Sequence, residues 1–185
     1  MKSAKKILAL ILAGVMALAL LTGCGKAASP DRAAAEGVAD WMKYTCHSTF
    51  NNTNEISVSY QVPELSRKIA PLFDENWITY DEDNEYYVLN KNQMVNGKTV
   101  EATLTDILSN YKDASCTIFS ATDVTECAGF ASPEVYRLAM ESQGIVVSGD
   151  DYPMAAKNAT HLRVATTHKT IGDKTFLLAV IILEK

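Results

Sequence analysis

Eight consecutive apolar residues near the carboxyl end, Phe176 to Leu183, constrain the fold more than any other segment of this chain. A strand with one solvent-facing side alternates apolar and polar residues, whereas this run is apolar at every position, so both faces must be covered. We therefore expect a central strand with structure packed on either side. Residues 161–167 precede it across a turn at residues 171–174, which predicts that the chain closes in a β-hairpin.

The rest of the chain predicts helices and short strands without the strand–helix–strand rhythm of a parallel sheet. Apolar spacing and capping residues predict helices over residues 31–47, 64–73, 99–111 and 133–142. Strands are expected at residues 56–60, 77–80, 86–89 and 114–125, and Ile145–Val147 is predicted to be a short buried strand or an apolar plug. The predicted fold class is α+β: a single domain with helices packed on a small antiparallel sheet that ends in a C-terminal β-hairpin.

The amino terminus has the layout of an export signal. Lys2, Lys5 and Lys6 precede an uncharged apolar run, Ile7–Leu21, and small residues then lead to Cys24. At about 1.5 Å per residue the run reaches roughly 22 Å, which is short of the ~30 Å hydrocarbon core of a bilayer. A transient signal therefore fits this segment better than a permanent transmembrane helix.

The ending Leu21-Thr22-Gly23-Cys24 resembles the lipobox of bacterial lipoproteins. The resemblance implies cleavage between Gly23 and Cys24, with lipid attached to the Cys24 thiol and later to its new amino group. It divides the chain into a signal peptide (1–23), a lipidated tether (24–30) and a globular domain (31–185). The expected location is extracytoplasmic, with the protein anchored by lipid to the bacterial cell membrane.

The charge balance narrows the choice of partners. The chain has 22 acidic and 17 basic residues and a net charge of −5, and the domain left after signal removal is more acidic still, because three lysines lie in the signal. Nucleic acid is not expected as a partner, since its affinity comes largely from Lys and Arg on phosphates. We expect contact with the membrane through the lipid on Cys24, and a cell-wall or protein ligand for the domain.

Three thiols remain once Cys24 is acylated: Cys46, Cys116 and Cys127. At most one internal disulfide can form, and the pair nearest in sequence is Cys116 and Cys127. The alternative is that all three are buried and pack as small apolar residues. The sequence leaves both interpretations open.

No metal or cofactor is expected. Residues 81–85 are acidic but lack the central glycine of a calcium-binding loop, so we interpret them as a solvated hairpin tip. The three histidines, His47, His161 and His168, do not have the spacing of a zinc site. His161 and Arg163 should share one face of a strand, because side chains alternate with a period of two.

The second half of the chain resembles a CAP-superfamily domain, the cysteine-rich secretory protein fold. The resemblance rests on Asn96-Gly97 before a helix, Glu126 in the place of the family's Gly-Glu-Asn glutamate, the helix start Ser132-Pro133-Glu134, the stretch Ala139–Ile145 and the closing hairpin. It implies a shared fold with a cleft near Glu126. Ile145 replaces the family's histidine, Ala139 its tryptophan and Cys127 its asparagine, so a family-type metal site is not expected. The resulting prediction is a non-catalytic surface binding module of degenerate CAP-like type.

A second resemblance gives an alternative function. The segment Glu126-Cys127-Ala128-Gly129-Phe130 is similar to the motif around the nucleophile of NlpC-type cell-wall cysteine peptidases. The histidine of those enzymes begins a later strand, a place that His161 could take. The resemblance implies a cell-envelope cysteine peptidase in which His161 activates the Cys127 thiol.

Overall fold

The terminal hairpin forms the centre of the main sheet in the computed structural model, which describes residues 29–83, 85–111, 114–143 and 152–185. The sheet has four strands in the order β1-β7-β8-β6. These strands are β1 (Ser57–Ser59), β6 (Cys116–Asp123), β7 (His161–Ile171) and β8 (Lys174–Glu184). The predicted α+β class and the closing hairpin are confirmed, and the turn between β7 and β8 consists of Gly172 and Asp173.

One part of the predicted architecture is wrong, because the sheet is mixed rather than purely antiparallel. β8 is antiparallel to both β7 and β6, but β1 is parallel to β7, with Ser57 opposite His161. A parallel neighbour requires a long crossover connection, and here almost the whole domain lies between the two strands.

β8 is covered on both faces, as its sequence predicts. Leu177, Ala179, Ile181 and Leu183 lie in one apolar core, and Phe176, Leu178, Val180 and Ile182 lie in another. All eight are fully or almost fully buried. The molecule is therefore built in three layers. The sheet lies in the middle, and the two outer layers, which we call the first and the second, each pack on β8 through their own apolar core.

The first layer consists of three helices. They are α1 (Pro30–Ser48), α4 (Pro133–Gln143) and α5 (Tyr152–Asn158). Ser29 caps α1 by accepting a hydrogen bond from the Arg32 amide, as expected for a serine before a proline. α1 lies against α4 at Gly37, where an added Cβ would be only 2.2 Å from the Pro133 carbonyl oxygen.

The second layer is made from residues 60–111. It contains a π-helical turn (Leu65–Ile69), α2 (Ala70–Leu72), a 3₁₀ turn (Glu75–Trp77), β2 (Ile78–Asp81), β3 (Tyr86–Leu89), β4 (Met94–Val95), β5 (Lys98–Thr99), α3 (Val100–Ile107) and a second 3₁₀ turn (Ser109–Tyr111). β2 pairs with β3, and β4 pairs with β5 across the Asn96-Gly97 turn, where both residues have positive φ. Thr99 caps α3 by accepting from the Ala102 amide at 3.1 Å.

The predicted helix boundaries agree best with the structure at helix ends that have a capping residue. Helix 31–47 is confirmed as α1 and helix 133–142 as α4, whereas predicted helix 99–111 ends as α3 at Ile107 and continues as a 3₁₀ turn. α5 was not predicted, and the predicted strand or plug Ile145–Val147 lies outside the described residues. Among the helices of the described ranges, none combines the length and the apolar character needed to cross a membrane.

Candidate functional site

A groove lies beside the open edge of β7. β1 pairs with only three residues of β7, His161 to Arg163, and the chain leaves the sheet after Ser59. Beyond that point, no strand among the described residues pairs with β7 on that side. The space next to it has a volume of about 430 Å³. We call it the edge groove; it is lined by Tyr60, Gln61, Val62, Pro63, Leu65, Ser66, Ala165 and Thr166.

The start of α1 occupies the next part of the β7 edge. The Asp31 carboxylate accepts from the His168 amide at 3.2 Å and lies 2.7 Å from Nδ1 of the His168 ring. The Asp31 carbonyl accepts from the Thr166 hydroxyl at 2.7 Å. An unpaired strand edge is prone to pairing with other chains, and these bonds protect it.

His168 also joins α1 to α4 through a chain of hydrogen bonds. Its Nε2 lies 3.1 Å from the Tyr136 hydroxyl, which donates to the Ala128 carbonyl at 3.1 Å. Burial, with smaller contributions from Cys127 and Asp31, raises the pKa of Tyr136, so the phenol keeps its proton. The chain of hydrogen bonds therefore runs from Asp31 through the His168 ring and the Tyr136 hydroxyl to the Ala128 carbonyl.

A second polar centre lies at the other end of β7, where β1, β7 and β8 meet. We call Ser57, Ser59, His161, Arg163 and Glu184 the serine–histidine cluster. Oγ of Ser57 lies 2.7 Å from His161 Nδ1, and Oγ of Ser59 lies 2.9 Å from Nε2 of the same ring. Both ring nitrogens are therefore in hydrogen bonds to hydroxyl groups.

The carboxylate of Glu184 completes this cluster. It accepts from Nε of Arg163 with both oxygens, at 3.0 and 3.1 Å, and lies 3.9 Å from Nε2 of His161. Nearby, the Tyr111 hydroxyl donates to Glu64 at 2.7 Å. Burial and this bond raise the pKa of Tyr111 to about 12, so the phenol remains a donor at neutral pH.

The structure does not bring the predicted cysteine partners together. Cys116 begins β6 and Cys127 follows its end, so the length of β6, roughly 23 Å, separates them, whereas a disulfide needs Cα atoms within about 7 Å. Cys46, Cys116 and Cys127 are buried, and none of the three is in a disulfide. The Cys116–Cys127 bridge is thus absent, and the alternative of buried thiols describes the molecule.

The proposed pair of Cys127 and His161 is not assembled either. His161 lies at the start of β7, whereas Cys127 follows the end of β6, whose last residue is level with Lys169 of β7. Roughly 26 Å of strand therefore separates the two ends. Burial, together with the charges of Asp123 and Glu126, raises the pKa of Cys127 to about 11, which disfavours the thiolate that a cysteine nucleophile requires.

The remaining predicted site residues are less informative. Glu126 is exposed in the turn after β6 and does not line the edge groove. Cys24, the predicted lipidation site, lies outside the described residues. Within the part of the chain that the structure describes, no three His, Cys, Asp or Glu side chains converge in a way that could hold a metal ion.

Sequence reasoning missed most members of both polar centres. It did place His161 and Arg163 on one strand face, and both belong to the serine–histidine cluster. Ser57 and His161 are 104 positions apart, so only the parallel pairing of β1 with β7 reveals their contact. The alternation Ile56-Ser57-Val58-Ser59 was the available signal, because it places both hydroxyls on one face.

Comparison with known proteins adds no assignment to this geometry: no protein-family model, no curated protein and no solved structure matches the chain.

Proposed function

We propose that this chain is a lipid-anchored lipoprotein of the bacterial cell surface whose domain is a non-catalytic binding module, with the edge groove as its ligand site. The edge groove is the observation that carries this proposal. Its volume of about 430 Å³ falls in the range of small-ligand sites, which are mostly apolar with a few polar groups. Tyr60, Pro63 and Ala165 supply apolar surface, and Gln61 and Thr166 supply hydrogen-bonding groups.

The wall of the groove is held in place before any ligand arrives. The Arg32 guanidinium lies over the Tyr60 ring, 3.8 Å from its centroid, and Arg32 Nε also donates to Glu36 at 2.6 Å. A cation over an aromatic face is attractive, and a fixed ring loses less conformational entropy on binding. An aromatic wall beside apolar side chains suits a cell-wall fragment or an extended protein segment.

The proposed location at the cell membrane is based on the sequence of the amino terminus. Ser29, which caps the first helix, is only five residues after Cys24, so a lipid on Cys24 would hold the domain close to the bilayer. We also propose a degenerate CAP-like relationship, which is supported by the helix beginning at Pro133 and its contact with the closing hairpin through Tyr136 and His168. We do not propose the cysteine-peptidase activity, because Cys127 and His161 lie at opposite ends of the sheet.

Binding by the groove can be tested separately from anchoring. Unlipidated Cys24→Ala protein is mixed with isolated cell envelopes that retain their walls and surface proteins, and the bound fraction is measured by sedimentation. Ser66→Trp, in the same background, fills the groove from its exposed rim and should reduce binding to background. Ser48→Trp, at an exposed serine at the end of α1, is the matched control and should bind like the parent. Equal binding by the Ser66→Trp protein would reject the groove as the ligand site.

Anchoring is tested on the full chain in cells. The parent should partition with membranes and carry lipid on residue 24, because two or three acyl chains give stable attachment. The Cys24→Ala chain should lose the lipid and be released. Membrane partition of Cys24→Ala equal to that of the parent would overturn the lipoprotein assignment.

A further inference from the structure

The serine–histidine cluster has the arrangement of a nucleophile, a base and a group that orients the base. Ser57 is exposed, and its hydroxyl lies 2.7 Å from His161 Nδ1. We propose that Ser57, His161 and Glu184 form a hydrolytic centre for small, soluble carboxylic esters, with Ser57 as nucleophile and His161 as general base. A hydroxyl within hydrogen-bond distance of a histidine whose other nitrogen is held, here by Ser59, is the diagnostic geometry of an activated nucleophile.

The sheet itself places the three side chains in one row. Ser57 is opposite His161 across the β1–β7 pairing, and His161 is opposite Glu184 across the β7–β8 pairing. Side chains directly opposite one another on neighbouring strands project from the same face, about 5 Å apart. The centre is therefore positioned by backbone pairing within the sheet rather than by a loop.

The imidazole is held on its second nitrogen as well. With the proton on Nε2, His161 donates to Ser59 Oγ at 2.9 Å. Nδ1, at 2.7 Å, is then the nearer of two acceptors of the Ser57 hydroxyl, and the other is the Thr160 carbonyl at 3.2 Å. Ser59 is thus a positioning residue. When His161 takes up the Ser57 proton, the Glu184 carboxylate, 3.9 Å from Nε2, provides the counter-charge for the imidazolium.

The reaction consumes one water and needs no other reactant. Oγ of Ser57 attacks the ester carbonyl carbon while its proton moves to Nδ1 of His161, and the tetrahedral intermediate then expels the alcohol, which takes that proton. Water next attacks the acyl group on Ser57, again losing a proton to His161. The carboxylic acid is released and the Ser57 hydroxyl is restored. The Arg163 guanidinium, on the same face of the sheet, is the nearby cation that can stabilise the negative oxygen of the intermediate.

This activity does not depend on the edge groove. Ala165, the groove residue on the same face of β7, is four positions from His161, or roughly 13 Å along the strand. Ester hydrolysis and envelope binding are measured separately on the same unlipidated protein. Failure of one proposal is therefore distinguishable from failure of the other.

The experiment uses a fluorophosphonate, which labels activated serines covalently, followed by peptide mass mapping, together with hydrolysis of p-nitrophenyl acetate. The parent should be labelled at Ser57, and Ser57→Ala should lose both the label and the hydrolysis. His161→Gln should slow labelling by about 100-fold, the usual size of a general-base effect. Ser48→Ala, an exposed serine whose hydroxyl donates to the Tyr44 carbonyl, is the matched control and should behave like the parent.

Two further measurements test the role of Glu184 and check that the variants fold. Glu184→Gln should lower kcat for p-nitrophenyl acetate and leave KM near the parent's value, because the counter-charge acts on the imidazolium formed during the reaction. Thermal unfolding confirms that each variant is folded. No Ser57 label in the folded parent, or a label that persists unchanged in His161→Gln, overturns the proposal.

Discussion

Gly37 sets how closely α1 and α4 approach. An added Cβ would lie 2.2 Å from the Pro133 carbonyl oxygen and 2.9 Å from the Arg137 amide nitrogen, and both are backbone atoms that cannot rotate away. We predict that Gly37→Ala destabilises the domain by about 2 kcal/mol. Overpacking typically costs ~1–3 kcal/mol, and the better helix propensity of alanine offsets only part of it.

Urea unfolding of an unlipidated form measures this prediction. Gly129→Ala is the matched control, because nothing lies within 4 Å of a Cβ at that position. It should change the free energy of unfolding by less than about 0.5 kcal/mol. A Gly37→Ala protein as stable as the Gly129→Ala protein would show that the two helices can separate without loss.

Asp123 makes the stability of the domain depend on pH. Burial raises the pKa of this carboxyl, but hydrogen bonds from Thr125 and the Lys174 ammonium at 3.1 Å outweigh burial and hold the pKa below its usual value. The unfolded chain therefore binds this proton more readily than the folded one. The stabilisation is complete above the unfolded pKa of about 3.9 and is lost as the pH falls through the lower folded value.

We predict that Asp123→Asn lowers the free energy of unfolding by about 1.5–3 kcal/mol near neutral pH, the usual size for hydrogen bonds to a charged group. The difference from the parent should shrink as the pH is lowered from about 5 to about 3. Denaturant titrations across this range measure it. Asp83→Asn, at the exposed tip between β2 and β3, is the control, and a pH-independent difference for Asp123→Asn would contradict the argument.

The residues that sequence reasoning placed correctly act on their near neighbours. Ser29 and Thr99 cap the helices that follow them, because a capping side chain reaches only two or three residues ahead. Ser57 and Glu184 were missed because their partner, His161, is brought to them by strand pairing alone. The Cys127–His161 prediction failed for the same reason, since a short motif carries no information about which end of a sheet it occupies.

Among the elements, the segment that follows β1 shows how one residue alters a helix. The predicted helix 64–73 is confirmed in position, but its first full turn, Leu65–Ile69, is π-helical. Pro71 lies two residues beyond that turn. Its ring has no amide proton and clashes with the carbonyl four residues earlier in a regular α-helix, so a wider turn relieves the conflict. The apolar spacing alone could not predict this.

Both faces of β8 are buried, so unlike an ordinary surface strand it has no face on which substitutions leave stability unchanged. We predict that Ile181→Val, in the first core, and Ile182→Val, in the second, each lower the free energy of unfolding by about 1 kcal/mol. Ile171→Val, at the half-buried end of β7, is the matched control and should cost less. Urea denaturation compares the three, and a neutral Ile182→Val would show that the second layer does not pack on the strand.

At the scale of the whole molecule, the two cores are joined through β8, so neither can lose its structure alone. Trp77 is fully buried in the second core, and Trp41 packs at the border of the first. Trp41→Phe and Trp77→Phe each leave a single tryptophan. We predict that, in each protein, the fluorescence of the remaining tryptophan follows the same unfolding transition as circular dichroism. Coincident probes are the mark of two-state unfolding.

Tryptophan fluorescence against urea concentration gives the measurement, and far-ultraviolet circular dichroism on the same samples gives the control for each variant. Fluorescence and dichroism should agree within each protein. A fluorescence transition of Trp77 that precedes the loss of sheet signal would mean that residues 60–111 unfold as an independent unit.

Only part of this architecture could be read from the sequence. The unbroken apolar run Phe176–Leu183 predicted the central, doubly covered strand, because periodicity reports how many faces are buried. It could not predict that the outer neighbour of β7 is a parallel strand of three residues, Ser57–Ser59. The alternation in residues 56–60 predicted a strand there, but it does not indicate which strand is its neighbour or in which direction the two run.

If Cys24 carries lipid as proposed, the bonds between Asp31 and β7 place the tethered start of the domain at the His168 end of the sheet. With lipid on Cys24 as proposed, residues 24–28 reach at most about 18 Å, so the bilayer lies near the flank where Asp31 contacts His168. His161 is seven positions further back along β7, roughly 23 Å towards the opposite end of the sheet. The exposed hydroxyl of Ser57 would then face the surroundings of the cell, within reach of dissolved molecules and out of reach of lipids.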